Sequence, residues 1–371
     1  RLIDVSVIHA FNGVPVHDCD EHVQQILSDL GFESMGDGER YIRGGIVDPM
    51  PRKKINRILF HHHSLHQKTR HENETIALDY LNELRDDFAL RGRCEMFRVD
   101  LKSMAAAQQL HQGTNLRGHL VWAKMPHFQK LLTIRNVQAP EEDEDILQFF
   151  REHHDPAIFM ERHAMRRGEF RKLISPLVRS GHLVQDYRGG FKAVEPIITS
   201  DLWEVKRDYL RDLVKDYPVI TLKQVERLAG SPFSAEEISD VMREFEEDGT
   251  LIKGFLVDDM HDVCWGRHDL LEGSDALTKT RDLVIPPSDP LIHYYGSLLR
   301  ERFGYGSAYL VFHREEPVAA FKANTREGVI HITDFVGDSD LEKEALRVMK
   351  EFAWEHDMPL KGKLYERLRS R

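Results

Sequence analysis

Cysteine is scarce. The 371 residues hold three, Cys19, Cys94 and Cys264, far apart and with no CxxC pair. That excludes a disulfide framework and a cysteine-rich zinc module, and it suits a reducing cytoplasm, where we expect the chain to work. Long apolar runs are missing too: none nears the roughly 18 residues of a membrane span, so no membrane partner is expected. No signal-peptide core follows Arg1, and the chain reads as a piece cut from something longer. No GxxxxGK[ST] loop occurs, so these residues contain no ATPase motor. Nor is there a surplus of positive charge. Lys and Arg number 51 against 62 Asp and Glu, a net charge of −11, which argues against a chain that coats nucleic acid without selection. The acid is uneven: residues 201–280 hold 10 basic and 19 acidic residues, nearly the whole excess.

Punctuation divides what is present. Ile3 to Ile8 reads as a strand, Asp20 to Leu30 as a helix, and Tyr41-Ile42 as another strand. Lys53 to Leu90 has a helical pattern, with Ala77, Leu81, Leu84 and Phe88 on one face. Residues 94–102 and 118–124 read as short strands. An acidic run, Glu141 to Asp145, opens a new unit, and Pro286-Pro287-Ser288-Asp289-Pro290 forms a stiff connector.

Between these breaks lies a repeat. Residues 169–184 align with 237–252 at an offset of 68, pairing Phe170 with Ile238, Ile174 with Met242, Leu177 with Phe245, Gly181 with Gly249 and Val184 with Ile252. Apolar positions fall at i, i+3, i+4 and i+7 in both copies, one helical face each. A glycine ends each helix, where a left-handed residue carries no Cβ penalty. Thr221-x-x-Gln224 and Ser234-x-x-Glu237 read as capping boxes. Pro176 falls inside the copy-one helix and should kink it. Each copy reads as three helices followed by a β-hairpin, the order of a winged helix. The hairpin tips fall at Tyr187–Phe191 and around Val257–Met260.

The copies differ in charge. Copy one carries Arg162, Arg166, Arg167, Arg171, Lys172 and Arg179, with Arg188 and Lys192 in its wing. A helix set in a groove faces phosphates, so these eight residues are the expected DNA contacts. Copy two carries Glu236, Glu237, Asp240, Glu244, Glu246, Glu247 and Asp248 instead. That face would repel a duplex, and it is expected to pack within the protein or on a partner.

Residues 289–303 read as a helix with Pro290 in its first turn. Strands follow over 308–312, 318–323 and 329–335, then a helix from about Asp340 to His356. The predicted fold is therefore α+β: tandem winged-helix domains with a small C-terminal antiparallel sheet, a part-barrel unit. The expected boundaries are an N-terminal α/β region over 1–138, winged helices over 139–199 and 200–282, and a C-terminal α+β domain over 283–371.

On these features the chain resembles the C-terminal region of Lhr-type helicases and the related AlkZ-type winged-helix DNA glycosylases. The residues concerned are the tandem winged helices, Asp289-Pro290-Leu291, the helix that follows, Phe303-Gly304, and Pro317-Val318-Ala319-Ala320. The resemblance covers roughly 140–360. It implies DNA binding linked to repair or to a helicase, with a motor domain or another protein as a partner of the acidic copy. The glycosylases carry a Gln-apolar-Gln or Gln-apolar-Asp motif that activates the attacking water. Here Gln24-Gln25-Ile26 and Gln108 to Gln112 have the wrong spacing, and Gln224-Val225-Glu226 ends in Glu. No catalytic residue is therefore assigned. An AlkZ-like glycosylase with a rewritten site is the enzymatic alternative, and a transcription regulator or protein-interaction module is the non-catalytic one.

Weaker signals resolve toward structure. His61, His62, His63 and His66 suit a polar face beside Lys53, Lys54 and Arg57, and His17-x-Cys19-x-x-His22 matches no common zinc spacing. No metal and no cofactor are expected. Asp289 is expected to cap a helix. Of Trp122, Trp203, Trp265 and Trp354, Trp265 is the best candidate for stacking on a base.

Overall fold

The computed structural model describes residues 32–34, 41–43, 49–67, 83, 85–91, 101–199, 201–258, 262–272 and 274–369. The strand and helix expected before residue 31, Cys19 and Cys94, and the histidines at 17 and 22 lie outside them. Strands β1 (Phe32–Ser34) and β2 (Tyr41–Arg43) pair antiparallel. Helix α1 (Arg52–His62) follows and does not continue along the apolar pattern: His63 closes it, and Ser64 turns at φ 54°. Then come α2 (Asp87–Arg91) and α3 (Leu101–Gln108). Leu101 and Lys102 are thus helical rather than extended; the Ala105-Ala106-Ala107 run that follows them favours a helix. Strands β3 (His111–Thr114) and β4 (Leu120–Ala123) form a hairpin that leads into α4 (Met125–Arg135).

The first repeat unit comprises α5 (Glu144–Glu152), α6 (Pro156–Arg162), α7 (Arg167–Ser180) and the hairpin β5 (Leu183–Gln185) with β6 (Phe191–Ala193). Its interior is a phenylalanine cluster of Phe149, Phe150, Phe159, Phe170 and Phe191. Helix α7 runs unbroken through Pro176. The ring deprives the Lys172 carbonyl of a helical partner, but both residues are exposed, so water can take that place. Gly181 ends α7 at φ 90°. A Cβ there would also strike the guanidinium of Arg135, which clips the first unit to α4 by donating to the carbonyls of Ser180 at 3.0 Å and Thr114 at 2.9 Å.

The second unit repeats the order: α8 (Leu202–Lys215), β7 (Val219–Thr221), α9 (Leu222–Ala229), α10 (Ala235–Glu247), then β8 (Leu251–Gly254) and β9 (Cys264–Arg267), with Gly249 at φ 76° after the third helix. Both capping boxes form. Gln224 N donates to Thr221 Oγ1 at 3.3 Å and Thr221 N to Gln224 Oε1 at 2.8 Å. Glu237 N donates to Ser234 Oγ at 3.1 Å and Ser234 N to Glu237 Oε2 at 2.8 Å. Strand β7 lies beside β9, in the order β7-β9-β8. In the first unit the matching place between the first two helices is taken by His154, whose carbonyl accepts from Phe191 N at 2.8 Å.

The units differ at their outer edges. Strand β3 pairs with β5 at Gln112 and Gln185, so a four-stranded sheet β4-β3-β5-β6 joins the first unit to the preceding hairpin. In the second unit Val257, expected at an exposed tip, is 3% exposed; it bridges Met50 and packs with Ile55 and Ile58 of α1. Its apolar neighbours Phe255 and Leu256 give the physical reason, since both are removed from water with it.

After α11 (His268–Leu271) and β10 (Leu283–Ile285), the expected helix over 289–303 is two, α12 (Leu291–Tyr294) and α13 (Gly296–Phe303). They break at Tyr295, whose hydroxyl donates to Asn56 Oδ1 at 2.9 Å. Asp289 is buried and caps α12, accepting from Leu291 N at 2.9 Å. Strands β11 (Tyr309–His313), β12 (Glu316–Arg326) and β13 (Val329–Gly337) form an antiparallel meander with β10, and after α14 (Glu342–Glu355) the short β14 (Leu360–Lys361) adds in parallel ahead of α15 (Lys363–Arg369). Alternate residues of β11 serve two cores: Tyr309 and Val311 face α14, while Leu310 and Phe312 join the large core shared with α1, α4 and the second unit. The fold is α+β with a half-barrel sheet. Among the described residues no helix is long and apolar enough to cross a membrane.

Candidate nucleic-acid interface

Helix α7 buries Phe170, Ile174 and Leu177 and turns its other side to solvent. That open side carries Arg167, Arg171, Lys172 and Arg179, with Arg166 at its N-cap and Arg162 closing α6. Arg188 and Lys192 stand on the hairpin, where the Asp186 side chain accepts from Arg188 N and Gly190 N, both at 2.8 Å, and shapes the turn. All eight sequence-predicted residues are exposed, and all lie on this one unit. Among the described residues none of the eight is in an ion pair; Arg179 donates only to Ser175 at 3.1 Å, and Arg188 lies over the Tyr187 ring. Arginine and lysine heads free of carboxylates can meet phosphate oxygens without first breaking a bridge.

The acidic helix α10 is arranged differently. Lys206 of α8 donates to Glu237 at 2.5 Å, Arg207 meets Glu244 at 3.4 Å, and Lys253 of β8 stands 3.9 Å from Glu246. Arg211 lies over the Phe245 ring. Burial would raise the Glu237 carboxyl, but the Lys206 and Ser234 donors hold it below the ordinary range. Lys206, Arg207 and Arg211 were not among the sequence-predicted residues. Their signal was a basic stripe one helical turn apart on α8, the complement of the acid that follows.

Two clefts flank the shared core. One, of about 550 Å³, is lined by Arg52, Asn56, Gln224, Tyr294, Tyr295 and Arg302, among others. Gln224 is fully engaged there: beyond its capping box, its Nε2 donates to the Tyr294 carbonyl at 3.1 Å. The other, of about 320 Å³, opens between α4 and α8 over Glu83. Burial alone would raise the Glu83 carboxyl, but donors from His127 at 3.2 Å, Arg117 at 2.9 Å and Asn115 at 2.5 Å hold it at about 2. Across the cleft, burial and then the nearby Asp212 push Asp216 up to about 7, against the pull of Arg267 and Lys215. Neither carboxylate was singled out from the sequence: the partners of Glu83 lie 32 to 44 residues away, and the shift of Asp216 comes first from burial, which only the fold creates.

The remaining candidates take structural places. His63 is buried with Nε2 on the Asp216 carbonyl at 2.7 Å, and His61 stacks on His66 at 4.0 Å. Among the described residues no group of three His, Cys, Asp or Glu is placed to hold a metal ion. Trp265 is partly buried against the large core with Lys253 over its ring, whereas Trp354 is 81% exposed.

No protein-family model matches the chain, and no curated protein matches it. Among solved structures, the Streptomyces sahachiroi DNA glycosylase AlkZ is similar at 11% identity and a TM-score of 0.59, over 85% of this chain and 100% of that one. At that identity the likeness is one of fold.

Proposed function

We propose that this chain is a DNA-binding, multi-winged-helix region working in DNA repair or beside a helicase, and that it grips duplex or branched DNA through winged helix 1. The observation that carries the reading is the set of eight exposed cations, outside any ion pair among the described residues, on the second and third helices, the turn between them and the hairpin of one unit. The organisation follows the repeat: an N-terminal α/β region over 1–138, winged helix 1 over 139–199, winged helix 2 over 200–282 and a C-terminal α+β domain over 283–371. Support comes from the shared order of helix, strand position, two helices and hairpin, with His154 standing where β7 stands in the second unit. A helix that presents its N-terminal cations to a groove, with a wing beside it, positions phosphate contacts before any base is read. Winged helix 2 turns Glu237, Glu244 and Glu246 toward α8 and β8, so it serves as a structural or protein-facing unit. Fluorescence anisotropy of a labelled duplex across a salt series tests the assignment. Tight binding with a steep salt slope is expected, and salt-independent or absent binding overturns it.

A second reading, an AlkZ-like glycosylase, rests on the likeness in fold running the full length of AlkZ and on the 550 Å³ cleft as a place for an extruded base. Gln224 does not act as its water-activating residue, since both ends of its amide are already bonded. Release of a free base from lesion-bearing duplex separates this reading from simple binding.

A further inference from the structure

The turn that joins β11 to β12 runs against its own sequence. Arg314 and Glu315 both lie in the left-handed region, at φ 50° and 69°, where a hairpin turn ordinarily takes asparagine or glycine. The turn sends their side chains opposite ways. Glu315 is 4% exposed; Arg57 of α1 donates to both of its carboxylate oxygens at 2.7 Å, and the Thr280 amide donates at 3.0 Å. Arg314 is exposed and lines a cleft of about 460 Å³ shared by α1, the segment before β10 and the turn.

Apart from Val318 and Leu341 the lining of this cleft is polar. Two of its three carboxylates are already held. Glu315 has Arg57, and Asp282 meets His313 at 2.9 Å, the Arg314 amide at 2.8 Å and Arg347 of α14, which also meets Glu351. What remains is Glu316 against Lys53, Lys279 and Arg314, all four exposed and in no ion pair among the described residues. Lys53 adds a second sign of a missing anion. Helix α1 opens on Arg52, Lys53 and Lys54, with no acid in its first turn and no side-chain cap. Only cations at that end oppose the helix dipole, and an anion beside them reverses the sign.

We propose that this cleft binds a phosphate monoester, its dianion seated among Lys53, Lys279 and Arg314. Three free cations against one free carboxylate leave a surplus of two, which a phosphate monoester matches with its charge of about −1.5 to −2 and a carboxylic acid does not. A polar wall suits such a group better than an apolar ligand. The phosphate has two sources, the 5′ end of a DNA strand and a free phosphorylated small molecule. Every element of the site lies outside the first unit, so its occupation does not depend on the basic face.

The probe is glycerol 3-phosphate, titrated by calorimetry into the full chain at about pH 7.5, where its phosphate carries close to two charges, with glycerate as the monoanionic control. Saturable binding of the phosphate is expected, with glycerate about tenfold weaker or more. Arg314→Gly removes a cation and gives the turn a residue at ease with its φ, so it should melt no lower than the native chain yet bind the phosphate about 3- to 10-fold more weakly. Lys279→Gln should weaken binding by a similar factor, whereas Glu316→Gln should tighten it. A 5′-phosphorylated duplex and its 5′-hydroxyl twin, offered to the variant with Arg166, Arg167, Arg171 and Lys172 changed to Ala, distinguish the sources and keep this test apart from that of the basic face. Preference for the phosphorylated end assigns a DNA terminus, and glycerol 3-phosphate binding without that preference assigns a small molecule. No saturable binding at millimolar glycerol 3-phosphate, equal binding of glycerate, or full affinity in both Arg314→Gly and Lys279→Gln would overturn the proposal.

Discussion

The two repeat units share one element order and differ in where their side chains find partners. The first has a private core of five phenylalanines and an outer face of cations that meet no carboxylate among the described residues. The second has no separate core: Val225, Ile238, Val241 and Phe245 belong to the large cluster that also holds α1, α4 and the half-barrel strands. Its third helix is acidic, and three of its carboxylates, Glu237, Glu244 and Glu246, are met by Lys206, Arg207 and Lys253 from its own unit. One architecture thus serves two ends. A unit that packs most of its interior on itself, and only Val184 and Val194 on the shared core, can give a whole helix face to a partner. A unit built into the common core uses that face for cohesion.

The strongest way to break this contrast is to remove the cations. Changing Arg166, Arg167, Arg171 and Lys172 together to Ala should lower duplex affinity by more than tenfold. It should also reduce the log–log salt slope by about 0.9 for each phosphate that is no longer neutralised. Unchanged affinity and slope, measured by anisotropy at several salt concentrations, would reject the assignment.

A smaller effect tests the second unit's burial through Asp216. Its folded-state value, raised from 3.8 to about 7, means that the native state keeps a proton the unfolded chain gives up. Its stabilising share is therefore complete below about pH 4 and lost as pH rises through 7. Asp216→Asn should match the native chain at pH 4 and melt progressively higher than it by pH 8, read from thermal unfolding at each pH. Parallel pH profiles would show that Asp216 titrates normally.

Lys206→Ala should cost about 1 kcal/mol, because it leaves Glu237 half-buried without its 2.5 Å partner and uncovers the Phe233 ring. Denaturant midpoints measure it, and a neutral result would show that the pair lies in solvent. The smallest effect sharpens the comparison most. Glu244→Gln, Glu247→Gln and Asp248→Gln together should leave DNA affinity unchanged or slightly raised. A clear loss with the circular dichroism intact would mean that the acidic helix contacts DNA after all.

Local signals carried the architecture and stopped short of the site. The glycines at 181 and 249, both capping boxes, the cap at Asp289 and the strands after Gly306 were legible because each depends on residues a few positions apart. The tie between β3 and β5 was not, because a single register point at Gln112 and Gln185 leaves no period in the sequence. Glu83 likewise looks ordinary until Asn115, Arg117 and His127, some 32 to 44 residues later, converge on it. The cation face was readable because charge needs no partner to be seen. The pairing of α10 was hidden because cohesion takes two segments.

The four-stranded sheet that joins β3 to β5 bears on how the first unit can be handled. A fragment starting near residue 139 would keep its phenylalanine core but lose β3, leaving the amides and carbonyls of β5 open along one side. A bared strand built of Leu183, Val184 and Gln185 is a template for pairing with its own kind, so that fragment should self-associate at concentrations where the longer chain stays dispersed. The same hairpin that holds β5 in place thus acts as a solubility guard, and fragments for crystallography or spectroscopy should begin before His111.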